Sequence, residues 1–572
     1  MKPIFLIRGW EKISKDPQLP VNIVLISSIL VVLLSMPAYA QIPFEETAPG
    51  KYRIELTDKD KSPYSLNAPG DFLSEKALVR RQKQNISLTW NDLPVTPSYV
   101  DSIRATGATV LTVSKWFNAV TVSAADDSIL HKILKLSFVR KVPVKRTGPP
   151  GSSANRIAEG IQETSRVEAF DYGPSGWQSI IHKGEILHSE GYTGLGKTIA
   201  IIDAGFYHVD QLEAFASLRE KGQILGTHDF VQPGSNLFAG HSHGMVVLSV
   251  IGGNLPGELI GTAPDASFWL LRSEDTGSEY LIEEDNWTAA AEFADSAGAD
   301  VISSSLGYSR FDDPLMNHTY GDMDGNTTRI SRSADIAVSK GMVVVVSAGN
   351  QGTNDWHFIS APADADSVIA VGAIDANGYI ADFSSRGPSS DLRVKPDVVA
   401  IGKGTWMADF VSGIRQGNGT SLSTPVISGL VACLWQAVPD APAMDVVASI
   451  KESSDRFTRP DEDYGYGIPD FNLAHVLLRS REYGVPGNNQ VMTFPNPFNT
   501  LLYIIFSSPV DGPADVSLVD ISGRVVLHLV YPQFTGRNYI TLDQGLSDLN
   551  KGIYFLKVVT GGKISISQLI KR

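Results

Sequence analysis

The sequence predicts an α/β protein: a parallel sheet flanked by helices, preceded by a small α+β domain and followed by an all-β sandwich. Three observations carry that prediction. Between about residues 175 and 480, continuous apolar runs ("TIAIID", "SFWLL", "DVISSSLG", "MVVVVSAGN", "SVIAVGAID") alternate with helical stretches such as "NWTAAAEFADSAG" and "TTRISRSADIAVSKG". Strands without polar alternation are buried on both faces, and helical crossovers make their sheet parallel. Before this region, short β-like runs mix with helix-like ones; after it, β-like runs and turn residues dominate.

Taken in order, residues 1–40 read as a secretory signal peptide. Lys2, Arg8, Lys12 and Lys15 precede an apolar run from Val21 to Leu34, and Ala38 and Ala40 occupy the small positions of a cleavage site, which makes Gln41 the new N-terminus. An uncleaved anchor is the alternative, disfavoured because the run is short for a span. Residues 41–150 form the α+β domain, with strand-like "KYRIEL", "ATVLTVS", "NAVTVSA" and "FVRKVPV" and helix-like "SYVDSIRAT" and "DDSILHKILKL". The Pro/Gly/Ser stretch "TGPPGSSAN" then reads as an exposed linker. The sheet domain spans 170–480, and a second turn-rich linker, "REYGVPGNNQ", leads to a β-sandwich over 490–572, with a hairpin turn at Gly561-Gly562.

A chain of 572 residues exceeds one ordinary core, which agrees with several domains. At 43% hydrophobic and 19% charged residues it has globular composition. The net charge of −14 argues against a nucleic-acid partner, since phosphate binding needs a basic face, and suits a soluble secreted protein. The single cysteine, Cys433, permits no intramolecular disulfide; in the apolar helical run "LVACLWQAV" it reads as a core residue rather than a nucleophile.

Three segments of the sheet domain each deliver one reactive side chain beside small residues. In "IAIIDAGF", Asp203 ends a buried strand, where a carboxylate is costly unless it holds a partner. In "GHSHGMVVLSV", a histidine followed by glycine opens an apolar helix. In "GNGTSLSTPVISGLV", Ser421 stands between a Gly-rich turn and a helix entered through Pro425. Serine is a poor nucleophile at neutral pH, so it needs a base, and the base needs a carboxylate to fix its tautomer. Singly each segment is weak; an Asp, His, Ser order on a parallel-sheet pattern is informative.

These segments resemble those of the subtilisin-like serine peptidases, the subtilases. "SAGN" (Ser347 to Asn350), "SLG" (Ser305 to Gly307), "SSRGP" (Ser384 to Pro388) and "KPDVVA" (Lys395 to Ala400) match the family as well. The resemblance implies Ser421 as nucleophile, His243 as general base and acid, and Asp203 as its orienting partner. It implies Asn350 and the Ser421 backbone N–H as oxyanion donors, and Ser305, Leu306, Gly307, Ala348 and Gly349 as edges of a cleft for extended protein or peptide substrates. Of His241 and His243, the one directly before glycine is the family's base, which leaves His241 as a solvated loop residue. Met245 and Val246 stand where many subtilases carry Thr-His, a departure that bears on local packing. No cofactor is required and no metal ligand is assigned. Structural calcium stays open, but "GDMDGN", with Asp322 and Asp324, lacks the ligand spacing of a calcium loop and reads as a turn. The run "EEDN" (Glu283 to Asn286) fixes no specificity and reads equally as a solvated helix start.

The N-terminal domain resembles a subtilase propeptide, implying synthesis as a precursor; a permanent accessory domain is the rival. "FPNPFN" (Phe494 to Asn499), "VSLVDISGRVV" and "GIYFLKVVTGGK" resemble the sorting domain of the type IX secretion system, implying that machinery as a partner and a secreted or outer-surface location. A plain binding sandwich is the rival there.

Two other function classes compete. An adhesin or scaffold on an inactive subtilase fold is disfavoured by a complete Asp, His, Ser and Asn set. A nucleotide hydrolase is suggested by "GYTGLGKT" (Gly191 to Thr198), which fits the P-loop pattern. A P-loop needs a strand before it and a helix after it, so that backbone N–H groups and the helix dipole face the phosphates. Here a helical stretch precedes and a buried strand follows, so the octapeptide reads as a turn delivering Asp203, with no nucleotide.

Overall fold

A computed structural model of the chain describes residues 43–141, 170–482 and 491–572. The expected signal peptide and most of both linkers lie outside the described residues.

At the centre is a seven-stranded sheet in which every neighbouring pair is parallel. Its spatial order is Val398–Ile401, Ile369–Ile374, Val343–Ser347, Val301–Ser304, Thr198–Asp203, Ser267–Arg272, Ile224–Asp229. The runs "IAII" and "VVVV" give alternate residues to opposite faces: Ile199 and Ile201 join the core beneath helices His243–Gly252 and Thr420–Ala437, while Ala200 and Ile202 join the core beneath Ile282–Ala297 and Arg329–Ser339. Both faces being covered explains why these strands show no polar alternation. All strands run the same way, so Asp203, Ser305, Ser347 and Asn350 gather at one end of the sheet, where parallel sheets place ligands. Cys433 is buried in the long helix, donates to Thr262 C=O at 3.2 Å, and burial raises its thiol pKa well above the usual value; it is a core residue.

Residues 43–141 build a four-stranded antiparallel sheet, Glu45–Ala48, Lys51–Glu55, Ala119–Ser123, Thr109–Ser114 in spatial order, with helices Glu75–Lys83, Pro97–Arg104 and Asp127–Leu134. Of "FVRKVPV" only the bridge Leu56–Val139 forms among the described residues. This unit packs on the outer side of Ile282–Ala297 through buried charges. Asp285 binds Arg53 at 2.8 Å, and Asp295 binds Arg80 at 2.6 Å, Arg81 at 2.8 Å and Lys115 at 3.0 Å.

The C-terminal region folds as two antiparallel sheets, of three and four strands, closed over one apolar core. Its last hairpin pairs Gly552–Thr560 with Lys563–Lys571, and Gly561 and Gly562 take φ of 52° and 77°, the paired positive values of a tight two-residue turn.

The segment "GYTGLGKT" connects helix Gly184–Ser189 to strand Thr198–Asp203, the order read from the sequence. Lys197 is buried with its Nζ 4.8 Å from the centre of the Trp435 ring.

Candidate active site

Asp203, the last residue of its strand, is fully buried and accepts the Ala204 N–H at 2.7 Å through Oδ1. The same oxygen lies 2.7 Å from His243 Nδ1. A carboxylate there requires Nδ1 to carry the proton, which leaves Nε2 as the free base. Burial, the largest influence on the imidazole, lowers its pKa. The Asp203 charge, the hydrogen bond and the nearby Glu274 together outweigh it, so His243 titrates above its usual 6.5.

His243 opens helix His243–Gly252, whose first turn lies against the strand end because the next residue is glycine. A Cβ on Gly244 would stand 2.6 Å from Gly205 O and 3.0 Å from Asp203 Cβ. His241 is exposed, as expected, and has one further function: its Nδ1 accepts the His243 N–H at 3.2 Å and caps the helix start.

Ser421 sits in the first turn of helix Thr420–Ala437, preceded by Gly419 at φ 149°. A Cβ on Gly419 would come 2.8 Å from Ser421 Oγ. Ser421 Oγ makes no hydrogen bond among the described residues, whereas its backbone is held: Ser305 Oγ donates to Ser421 C=O at 2.9 Å. Asn350 Oδ1 accepts the Thr420 N–H at 2.8 Å and the Thr420 hydroxyl at 3.0 Å. That fixes the amide and leaves Nδ2 free to donate into the cleft.

A cleft of about 560 Å³ runs past His243, Ser305, Leu306, Gly307, Gly349 and Asn350. Ala348 does not line it. It is fully buried, its N–H donates to Val371 O at 3.0 Å, and its carbonyl accepts from Ser360 N–H at 3.3 Å. The cleft wall also contains Glu274, Asp275, Glu279 and Asp312, which no sequence motif singled out.

The run "EEDN" is no solvated helix start, since all four residues are buried. Asp285 is paired with Arg53 and Arg329, and Glu284 lies 2.5 Å from His318 Nε2. The turn reading of "GDMDGN" agrees with its contacts. Asp322 Oδ2 accepts the Thr319 N–H at 2.7 Å, and Asp324 Oδ1 accepts the N–H groups of Asn326 and Thr327 at 2.8 and 2.7 Å.

Three family models match the chain: the subtilase family over residues 194–467, the peptidase S8 propeptide domain of Bacteroidota over 51–158, and a secretion-system C-terminal sorting domain over 492–572. Among curated proteins, the chain is 28% identical to serine protease AprX of Bacillus subtilis (strain 168) over 390 residues, 61% of this chain and 78% of that one. It is 29% identical to subtilisin DY of Bacillus licheniformis over 270 residues, 46% of this chain and 85% of the relative. It is 31% identical to subtilisin of Bacillus pumilus over 264 residues, 45% of this chain and 83% of the relative. The sorting domain marks the protein for export, to be secreted or held at the outer cell surface. No helix among the described residues is long and apolar enough to cross a membrane.

Proposed function

The chain belongs to the subtilase family of serine peptidases, and on that premise we propose that it is made as a precursor and cleaves protein substrates internally through an acyl-enzyme on Ser421. The observation that carries the reading is the 2.7 Å contact between buried Asp203 and His243 Nδ1, which orients a free Nε2 at the cleft.

An extended peptide lies between the segment Ser305–Gly307 and Gly349, pairing its backbone with the cleft edges. Ser421 Oγ, free of competing hydrogen bonds, closes on His243 as substrate fills the site. It attacks the scissile carbonyl carbon while His243 Nε2 takes its proton, and Asp203 stabilises the resulting imidazolium. The carbonyl oxygen becomes an oxyanion, met by Asn350 Nδ2 and the Ser421 N–H at the start of a helix of 18 residues, whose dipole also favours negative charge. His243 then protonates the leaving amine, and the acyl-enzyme remains. Water, deprotonated by His243, attacks the ester and releases the acid.

Hydrolysis of a chromogenic peptide by the processed protein tests this reading. Asn350→Ala is expected to lower kcat by about 10²–10³ with KM little changed, a magnitude known from a subtilisin's own oxyanion asparagine. An unchanged kcat would remove Asn350 from the mechanism.

A further inference from the structure

Hydrolysis at Ser421 leaves one buried group of the cleft unexplained. Ser360 lines the cleft and is fully buried, yet its hydroxyl has no hydrogen-bond partner among the described residues. Buried hydroxyls are normally paired, and an unpaired one is costly. The two glycines that edge the cleft show where this hydroxyl sits. A Cβ on Gly307 would stand 2.6 Å from Ser360 Oγ, and one on Gly349 would stand 2.9 Å from the same atom. The hydroxyl therefore lies between the two edges and closes the slot that their missing side chains leave open. On the Gly349 side there is no lateral room either, because Gln351 Oε1 and Ser385 Oγ crowd the same Cβ position and are bonded to each other at 2.9 Å.

The backbone fixes this floor. Ser360 N–H donates to Ala348 O at 3.3 Å, and the next residue, Ala361, exchanges two hydrogen bonds with Tyr308, at 2.8 and 3.1 Å. Ser360 is thus held from both edges and does not recede. The slot also adjoins the reacting centre. Gly349 directly precedes the oxyanion residue Asn350, and Ser305, on the same short segment as Gly307, is bonded to Ser421 C=O at 2.9 Å. The side chain that enters between Gly307 and Gly349 is therefore that of the residue whose carbonyl Ser421 attacks. Glu274, Asp275, Glu279 and Asp312 line the cleft wall, and no Lys or Arg does among the described residues, so an acidic side chain is repelled from it.

We propose that Ser360 determines the specificity of this peptidase: it restricts the residue on the acyl side of the scissile bond to short, uncharged side chains, and its hydroxyl favours serine over alanine there. The inference rests on the peptidase reading above. A Phe or Leu side chain would have to displace Ser360 against its pinned backbone or stay outside the slot, and either loses the close fit at the reacting carbonyl. A serine fits and gives the Ser360 hydroxyl the partner it lacks, whereas an alanine leaves that hydroxyl unpaired.

The test compares kcat/KM of the processed wild type, Ser360→Gly and Ser360→Ala on peptides that differ only in that residue, which is Ala, Ser, Leu or Phe. The wild type is expected to favour Ala over Leu and Phe by about tenfold or more. Ser360→Gly, which removes the floor of the slot, should raise the Phe-to-Ala ratio by about tenfold or more. Ser360→Ala keeps the floor, so the preference for short side chains should persist while the Ser-to-Ala ratio falls about three- to tenfold. Fluorophosphonate labelling of Ser421 counts the active sites in each protein, so that misfolding lowers the adduct and leaves the ratios intact. Absence of both adduct and hydrolysis in the wild type would sink the peptidase reading itself. With the adduct formed, the specificity proposal alone is overturned if the wild type cleaves neither short-chain peptide, or cleaves after Phe or Leu as readily as after Ala. It is equally overturned if Ser360→Gly leaves the Phe-to-Ala ratio unchanged, or if Ser360→Ala keeps the wild type's Ser-to-Ala ratio.

Discussion

Replacing Asp295 with asparagine removes the anion at the centre of the interface between residues 43–141 and the sheet domain. Its carboxylate is fully buried and is shared by Arg80 at 2.6 Å, Arg81 at 2.8 Å and Lys115 at 3.0 Å. Burial alone would raise its pKa; Lys115, Arg80 and Arg81 overcome that and hold it at about 2, against the usual 3.8. The depression corresponds to about 2 kcal/mol of stabilisation of the charged form. Removing one partner of a buried ion network costs more, about 3–5 kcal/mol, because the stranded cations stay desolvated. A neighbouring anion, Asp92, is already bound by Arg81 at 2.8 Å and Lys340 at 3.1 Å. Asp295→Asn should therefore lower the free energy of opening this interface by about 3–5 kcal/mol, a factor of roughly 10²–10³ or more. Hydrogen exchange of the Ala119–Ser123 amides in the full Ser421→Ala chain reads that opening. Acid gives a second reading. A depressed carboxylate stabilises the fold above its unfolded pKa and loses that contribution as pH falls, so the parent interface should loosen between about pH 4 and pH 2. Exchange in the variant within about 0.5 kcal/mol of the parent would refute the argument that this charge cluster holds the two units together.

Two further predictions concern the site. His243 must be neutral to act as base and its pKa lies above 6.5, so kcat/KM should fall as pH drops through a value above 6.5; Asp203→Asn should move that limb downward, which a pH–rate profile reads. Gly244→Ala places a Cβ 2.6 Å from Gly205 O and 3.0 Å from Asp203 Cβ, so kcat should fall about 10²-fold as His243 is displaced, with a loss of about 1–3 kcal/mol in stability by denaturant melts.

Much of this site was legible because each reactive residue ends a regular element. Asp203 closes a buried strand and Ser421 opens an apolar helix, so a one-dimensional pattern marked both places. The edge strand Ile224–Asp229 was not legible, because only one side of it pairs and its composition, with Gly226 and His228, is that of a loop. "EEDN" misled for a different reason: Asp285 finds Arg53 232 residues away, and Glu284 finds His318 34 residues away, pairings that no local pattern records. Arg80 and Arg81 carry no mark of burial in the local sequence for the same cause, yet both are buried against Asp295. Ala348 belongs to a correct motif, but its backbone is committed to Val371 and Ser360, which only the packed sheet reveals.

The measurement that bears most directly on the central claim is intact mass and peptide mapping after reaction with a fluorophosphonate. The account predicts a single adduct on Ser421 once the N-terminal unit has been removed, and none in Ser421→Ala. Absence of an adduct in the processed wild type, or equal labelling of Ser421→Ala, would contradict it.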